Sequence, residues 1–130
     1  MTAKPVPVDP KELPSNPAFT QGMIAPAGKT LYVGGQLGTD GRGNMLEGVE
    51  AQSAQAMRNV LTVLAAAGTG PENVVKLNIH LVHGVDVQAG YAASRSVWGN
   101  QRTAITVIST AGHARPGALV EIDAIATIPE

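Results

Sequence analysis

The sequence predicts a single α/β domain in which two helices cover one face of a mixed β-sheet, in the order ββαβαββ. Three observations support this fold class. Apolar residues recur at helical spacing in two segments, they alternate with polar residues in others, and glycine and proline separate the segments. A chain of 130 residues suits one such domain, residues 1–130, and no internal repeat is visible.

The composition excludes several classes of protein. With a net charge of -1 and no basic run, the chain lacks the clustered cations that bind nucleic acid. It has no cysteine, so disulfides, thiolate nucleophiles and cysteine–metal sites are excluded. We see neither a signal peptide nor an apolar run of membrane-spanning length. We therefore expect a soluble, cytoplasmic protein that binds neither nucleic acid nor membrane.

The N-terminal segment leads into the first two predicted strands. Residues 1–17 contain five prolines and no periodicity, which predicts an extended arm. Residues 19–25 and 31–37 are predicted strands, and the turn around Gly28 joins them as a hairpin. Gly34 and Gly35 lie inside the second strand. Paired glycines mark a bulge or a close approach of another group to the backbone.

Two segments have the periodicity of amphipathic helices. In residues 50–67 the apolar stripe contains Met57 and Leu64, whereas Gln52 lies away from it. Gly68 suits a left-handed position after this helix. Asp86 is the predicted cap of the second helix, which extends through Trp98. Tyr91 and Trp98 belong to its apolar stripe, and we expect both in the core.

Three further strands complete the predicted sheet. Residues 75–81 alternate between apolar and polar side chains, as in a half-buried strand. Residues 101–110 and 117–128 are two closing strands separated by a glycine- and proline-rich turn. The last strand is apolar on both sides, which predicts burial on both faces. Because two helices cover only one face, we expect another subunit to cover the second, in a closed symmetric oligomer.

Each closing strand carries one charged residue that suggests a site for a small acid. Arg102 begins the first strand, and its planar guanidinium can grip a carboxylate with two parallel hydrogen bonds. Glu121 lies between Val120 and Ile122 in the second strand, where a carboxylate could position or deprotonate a water molecule. The alternatives are a solvated strand-end arginine and an exposed acid at a sheet edge.

The remaining polar residues give weaker signals. His80 and His83 are three apart on a strand and point to opposite faces, so they cannot chelate a metal together, and no metal site is expected. Asp123 lies on the same face as Glu121, and we expect it at a subunit interface or in solvent. His113, in the closing loop, is expected to contact water.

Several motifs together resemble the Rid family, the reactive-intermediate deaminases also called YjgF-type or UK114-like proteins. The similarity extends from about Pro17 to Ile128. It includes Leu-Tyr-Val-Gly-Gly-Gln-Leu-Gly at 31–38, Arg-Thr-Ala-Ile at 102–105 and Gly-Ala-Leu-Val-Glu-Ile-Asp-Ala-Ile-Ala at 117–126. Segments 50–60, 66–68 and 73–76 also match. The set is specific, although no single motif would be.

The resemblance implies a chorismate-mutase-like homotrimer with clefts between subunits. It implies hydrolysis of enamine and imine acids, such as 2-aminoacrylate, to 2-oxo acids and ammonium without a cofactor. The family's substrate-binding arginine falls on Arg102 and its acidic cleft residue on Glu121. Four family positions differ: tyrosine is Phe19, serine is Gly34, asparagine is Gln88 and cysteine is Ala104.

These replacements keep a second interpretation open. Phe19 and Gly34 each remove a hydroxyl group, so fewer polar contacts to a substrate remain. The chain could therefore be a non-catalytic trimer that binds a small carboxylic acid and a protein partner. A third interpretation, a ribonuclease, is disfavoured by the near-neutral charge and the 3% of aromatic residues.

Overall fold

The computed structural model describes residues 3–130 and contains two helices and six strands within them. The helices are α1 (Val49–Ala66) and α2 (Val87–Trp98). The strands are β1 (Val6–Val8), β2 (Gly22–Ile24), β3 (Lys29–Leu37), β4 (Val74–Val82), β5 (Ala104–Thr110) and β6 (Val120–Ile128), and one 3-10 turn spans Pro71–Asn73.

The main sheet is mixed, as predicted, and has the strand order β3-β6-β4-β5. Strands β4 and β5 are parallel and connected through α2, whereas β6 pairs antiparallel with both β3 and β4. The last strand is therefore central in the sheet, and its residues on the helix side, Val120, Ile122, Ala124 and Ala126, are buried. Both helices pack on one face of this sheet, which confirms the predicted fold class.

The predicted hairpin of residues 19–25 with residues 31–37 is wrong. Strand β2 pairs instead with β1 in a separate two-stranded sheet, while β3 pairs with β6 along its length. Local proximity along the chain favoured the hairpin, but β6 offers β3 a longer register and a buried neighbour. The sequence did not reveal β1, because Pro5 and Pro7 disfavour strands; this short edge strand tolerates proline.

The core lies between the helices and the main sheet. It consists of aliphatic residues of α1, β4 and β6 together with Trp98 of α2. Both helix ends follow the predicted signals: the Asp86 carboxylate accepts a hydrogen bond from the Ala89 amide at 3.0 Å, and Gly68 adopts a φ of 80°. Trp98 is buried, and Tyr91 is half-buried against the core.

One residue of α1 departs from the prediction. Gln52, expected away from the apolar stripe, is only 2% exposed. Its amide nitrogen donates to the carbonyls of Leu46 and Gly117, and its side-chain oxygen accepts from the Leu119 amide. Burial of the amide is tolerated because its polar atoms are paired. Gln52 thereby fastens the loop after β3 and the loop before β6 to the helix.

The loop after β3 is organised by Asp40. Its carboxylate accepts hydrogen bonds from the backbone amides of Asn44 and Arg42, which lower its pKa because they stabilise the ionised form. The Arg115 guanidinium donates to the Gly43 carbonyl at 2.8 Å and links this loop to the one before β6.

No helix within residues 3–130 is both long and apolar enough to cross a bilayer.

Candidate functional site

Arg102 lies just before β5, against the segment that leads into β2. Its Nη2 donates to the Phe19 carbonyl at 2.9 Å, to the Asn16 carbonyl at 3.0 Å and to the Asp9 carboxylate at 3.3 Å. Its Nε is buried and has no partner among the described residues. The side chain is 36% exposed, so part of it reaches the surface while backbone carbonyls hold Nη2.

A cavity of about 410 Å³ opens beside this segment. Its lining includes Asn16 and Phe19, whose carbonyls hold Arg102, and Gln88 and Tyr91 from α2. Ala18, Val87, Ile105 and Val107 complete the wall. The structure therefore places Phe19 and Gln88, two of the residues selected from the sequence, at one cavity. Arg102 does not line it, but it is bonded to two residues that do.

Ala104 lies at the start of β5, two residues after Arg102. It forms an isolated parallel bridge with Thr20, which connects the start of β5 to the segment that carries Phe19. The Thr20 amide also donates to the Thr103 carbonyl at 2.9 Å. Arg102, Ala104, Phe19 and Gln88 thus belong to one neighbourhood, which we call the Arg102 cluster.

Glu121 lies elsewhere on the main sheet, at the β3 bulge. The register of β3 against β6 shifts between Val33 and Gln36, so Gly34 and Gly35 form the bulge that the paired glycines predicted. A β-carbon added to Gly35 would lie 2.5 Å from the Glu121 carboxyl carbon. Position 35 therefore has no room for a side chain, because the Glu121 side chain lies across it. Gly34, Gly35 and Glu121 form the Glu121 cluster.

The two clusters are separated within one chain. Ala104 is level with Lys76 on β4, and Glu121 is level with His80 on the other side of the same strand. At about 3.3 Å per residue, this register places Ala104 and Glu121 about 13 Å apart along the direction of β4. Across the sheet, β5 and β6 are separated by roughly a further 10 Å. Arg102 precedes β5 and is farther still. One chain does not bring Arg102 and Glu121 together.

A polar network occupies the face of the main sheet opposite the helices. The Asp123 carboxylate accepts from the Asn78 amide at 2.7 Å and lies 2.9 Å from Nε2 of His80. On the same face the Lys76 ammonium donates to the Thr106 hydroxyl. Asp123 thus contacts its own strand neighbours, and His80 belongs to the polar side of β4, as its alternation predicted.

Sequence reasoning missed two residues that lie beside the Arg102 cluster, Asp9 and Tyr91. Asp9 lies in the proline-rich arm, where no periodicity distinguishes one acid from another. Tyr91 was assigned to the core, yet it also lines the cavity. Its spacing of three residues from Gln88 places both on one side of α2, and this was the available signal.

Comparison with known families gives a match over most of the chain. Residues 10–128 match the family model described as endoribonuclease L-PSP. No curated protein matches the chain significantly.

Solved structures give a consistent picture. A Yersinia pestis protein of unknown function, YyfB of the conserved Rid protein family, is 26% identical with a TM-score of 0.85, and the match covers 97% of this chain and 100% of that one. RidA from an Antarctic Psychrobacter species is 30% identical with a TM-score of 0.66, covering 85% and 88%. A yeast protein, YEO7, is 25% identical with a TM-score of 0.66, covering 95% and 98%.

Proposed function

The chain belongs to the Rid family, matched as endoribonuclease L-PSP, and from this premise we propose that it hydrolyses small 2-imino and enamine acids to 2-oxo acids and ammonium. The single observation that carries the proposal is the arrangement of Arg102. The Asn16 and Phe19 carbonyls hold its Nη2, the same two residues line the neighbouring cavity, and the Arg102 side chain is 36% exposed.

Arg102 is proposed to bind the substrate carboxylate. A guanidinium keeps its charge at any physiological pH and offers donors in a fixed plane, so a bound acid would be oriented as well as attracted. Phe19, Gln88 and Tyr91 would then surround the rest of the substrate in the adjacent cavity. Backbone groups near Ala104, and near Gly34 at the β3 bulge of a second copy, would orient the imine.

Glu121 is proposed to hold the water that attacks the imine carbon. The attack gives a carbinolamine, which expels ammonia and leaves the 2-oxo acid. Because the Glu121 cluster is distant from Arg102 in one chain, this role requires the Glu121 cluster of a second copy. We therefore propose a homotrimer in which neighbouring subunits supply the two clusters to a shared cleft.

Imine hydrolysis makes modest demands on the protein. Orientation of the substrate and proton transfer by a positioned carboxylate each contribute on the order of 10²–10⁴-fold in favourable sites. The proposed reaction needs no cofactor, because the substrate already carries an electrophilic C=N bond.

The test is a deaminase assay with an imino acid generated in situ from alanine by an amino acid oxidase. Arg102→Ala is expected to lower kcat/KM by at least about 100-fold, because a charged hydrogen-bonding partner and the substrate orientation are both lost. Arg58→Ala, on the exposed side of α1, is the matched control and should retain wild-type rates. Equal 2-oxo acid release by wild type and Arg102→Ala would contradict the mechanism.

The family description as an endoribonuclease supports one competing outcome. RNA cleavage that depends on salt, in the absence of imine turnover, would favour it over the deaminase. Calorimetric binding of a small carboxylic acid without turnover would instead favour the non-catalytic binding module.

A further inference from the structure

Asp9, in the N-terminal arm, contacts the guanidinium to which the proposed function assigns a substrate carboxylate. It lies directly after β1, and one of its oxygens, Oδ1, accepts from the Gln21 amide at 3.0 Å. The other, Oδ2, lies 3.3 Å from Nη2 of Arg102. The chain therefore supplies a carboxylate of its own to the same cation.

The hydrogen-bond geometry makes this contact the weakest of the three at Nη2. A guanidinium amino nitrogen carries two hydrogens, and the Phe19 and Asn16 carbonyls, at 2.9 and 3.0 Å, are the nearer acceptors. Asp9 at 3.3 Å is the third and most distant. The two carbonyls hold Arg102 in place, whereas the carboxylate can leave without releasing the guanidinium.

The arm has the features of a segment that can move. All three residues of β1 are exposed, and β1 pairs only with the three residues of β2. Few buried contacts mean a low free energy for local opening. The Arg102 and Asp9 side chains are 36% and 30% exposed, so solvent and small ions reach the pair.

We propose that Asp9 is an internal competitor that sets the affinity of the Arg102 site for small carboxylates. A ligand carboxylate that approaches the guanidinium competes with the Asp9 carboxylate for its positive charge, so the apparent affinity of the ligand falls as the fraction of molecules with the pair formed rises. This inference rests on the proposed function for the identity of the ligand. In this proposal Asp9 acts through Arg102 and does not contact the reacting atoms.

The test compares Asp9→Asn with the wild type in the imine deaminase assay. Asparagine keeps the Oδ1 acceptor for the Gln21 amide but removes the charge. Because partly exposed ion pairs are weak, KM is expected to fall only roughly two- to fivefold, with kcat unchanged. Asp9→Glu, which restores a carboxylate, should return KM toward the wild-type value.

Glu12→Gln is the matched control, since it removes one negative charge from the same arm and Glu12 is exposed. Its KM should equal that of the wild type. High salt should narrow the difference between wild type and Asp9→Asn, because it screens the competing pair. Unchanged KM in Asp9→Asn, or an equal fall in Glu12→Gln, would overturn the proposal.

A binding assay separates this inference from the proposed reaction. Trp98 is the single tryptophan of the chain, and its indole nitrogen donates to the carbonyl of Gln101, the residue before Arg102. Titration with pyruvate, followed by Trp98 fluorescence, should show tighter binding to Asp9→Asn even if no imine is hydrolysed. If both proteins have the same Kd for pyruvate and the same kcat and KM for imines, the proposed deaminase function is supported and the proposed role of Asp9 is wrong. If pyruvate binds to neither protein, the proposed role of Asp9 is also wrong.

Discussion

At the scale of single residues, Arg102 illustrates how a site can be fixed from outside its own strand. It precedes β5, and the segment between Asn16 and Phe19 determines where its guanidinium lies. The residue type and its position predicted an anion site, but the Asp9 contact depends on a distant arm. Such a contact has no periodicity and no motif, so only the folded chain reveals it.

Gly35 in β3 allows a test of the position of Glu121. Gly35→Ala places a β-carbon where the Glu121 side chain now lies, so the carboxylate must shift. A displacement of about 1 Å in a catalytic group can cost up to about 100-fold in rate, and we expect kcat/KM to fall by about 10- to 100-fold.

Gly41→Ala, in the exposed loop after β3 and outside both clusters, is the control for that variant. No atom lies within 4 Å of a β-carbon added at Gly41, so the substitution should leave both the rate and the thermal midpoint near wild type. Deaminase assays and melting curves of both variants check the prediction. Equal rates for Gly35→Ala and Gly41→Ala would mean that the position of Glu121 does not matter for turnover.

At the scale of elements, the helices were predictable because their signals are local. Apolar spacing located α1 and α2, and the Asp86 cap and Gly68 marked two of their ends. Strand pairing was less predictable, because β3 had two possible partners. The choice of β6 over β2 depends on a register between residues about 90 apart, which periodicity does not encode.

Gln52 shows a second limit of pattern reading. A glutamine is normally assigned to the solvent side of a helix. Here the side-chain nitrogen and oxygen of Gln52 both form hydrogen bonds with backbone groups of two loops. Only the conformation of those loops explains why a polar side chain belongs in this interior position. The same loops border the β3 bulge and precede β6, so Gln52 supports the Glu121 cluster indirectly.

Gln52→Ala is therefore expected to be strongly destabilising. It leaves the Leu46 and Gly117 carbonyls and the Leu119 amide without their partner, and the free energy of unfolding should fall by about 2–4 kcal/mol. Urea denaturation of Gln52→Ala measures this change. Arg58→Ala, on the exposed side of the same helix, should stay within roughly 0.5 kcal/mol of wild type. A loss below about 1 kcal/mol for Gln52→Ala would contradict the structural role.

At the scale of the whole molecule, one face of the main sheet has no helix over it. This face carries the Asn78–Asp123–His80 network. Ile125 lies next to the network and pairs with Tyr32 of β3 on one side and Lys76 of β4 on the other. Tyr32 is 74% exposed in the isolated chain. This face is where the sequence predicted a second subunit, and the separation of the two clusters gives that prediction a functional reason.

Light scattering provides a direct check of the assembly. The wild type is expected at three times the 13.3 kDa chain mass. Ile125→Arg places a charge on the face that the neighbouring subunit would cover, and should give monomers with little activity. Ile24→Arg, on the exposed two-stranded sheet, should remain trimeric. A wild-type monomer that hydrolyses imines at full rate would exclude a shared cleft.

The two ends of the described chain lie close together, since Ala3 and Glu130 line the same cavity of about 330 Å³. A short glycine–serine linker could therefore join them, with new ends opened at an exposed loop tip such as Gly43. In such a circular permutant the arm would be tethered at both of its ends rather than one. Asp9 would then exchange more slowly at Arg102, and under the proposed function the affinity for added carboxylates would report the mobility of the arm.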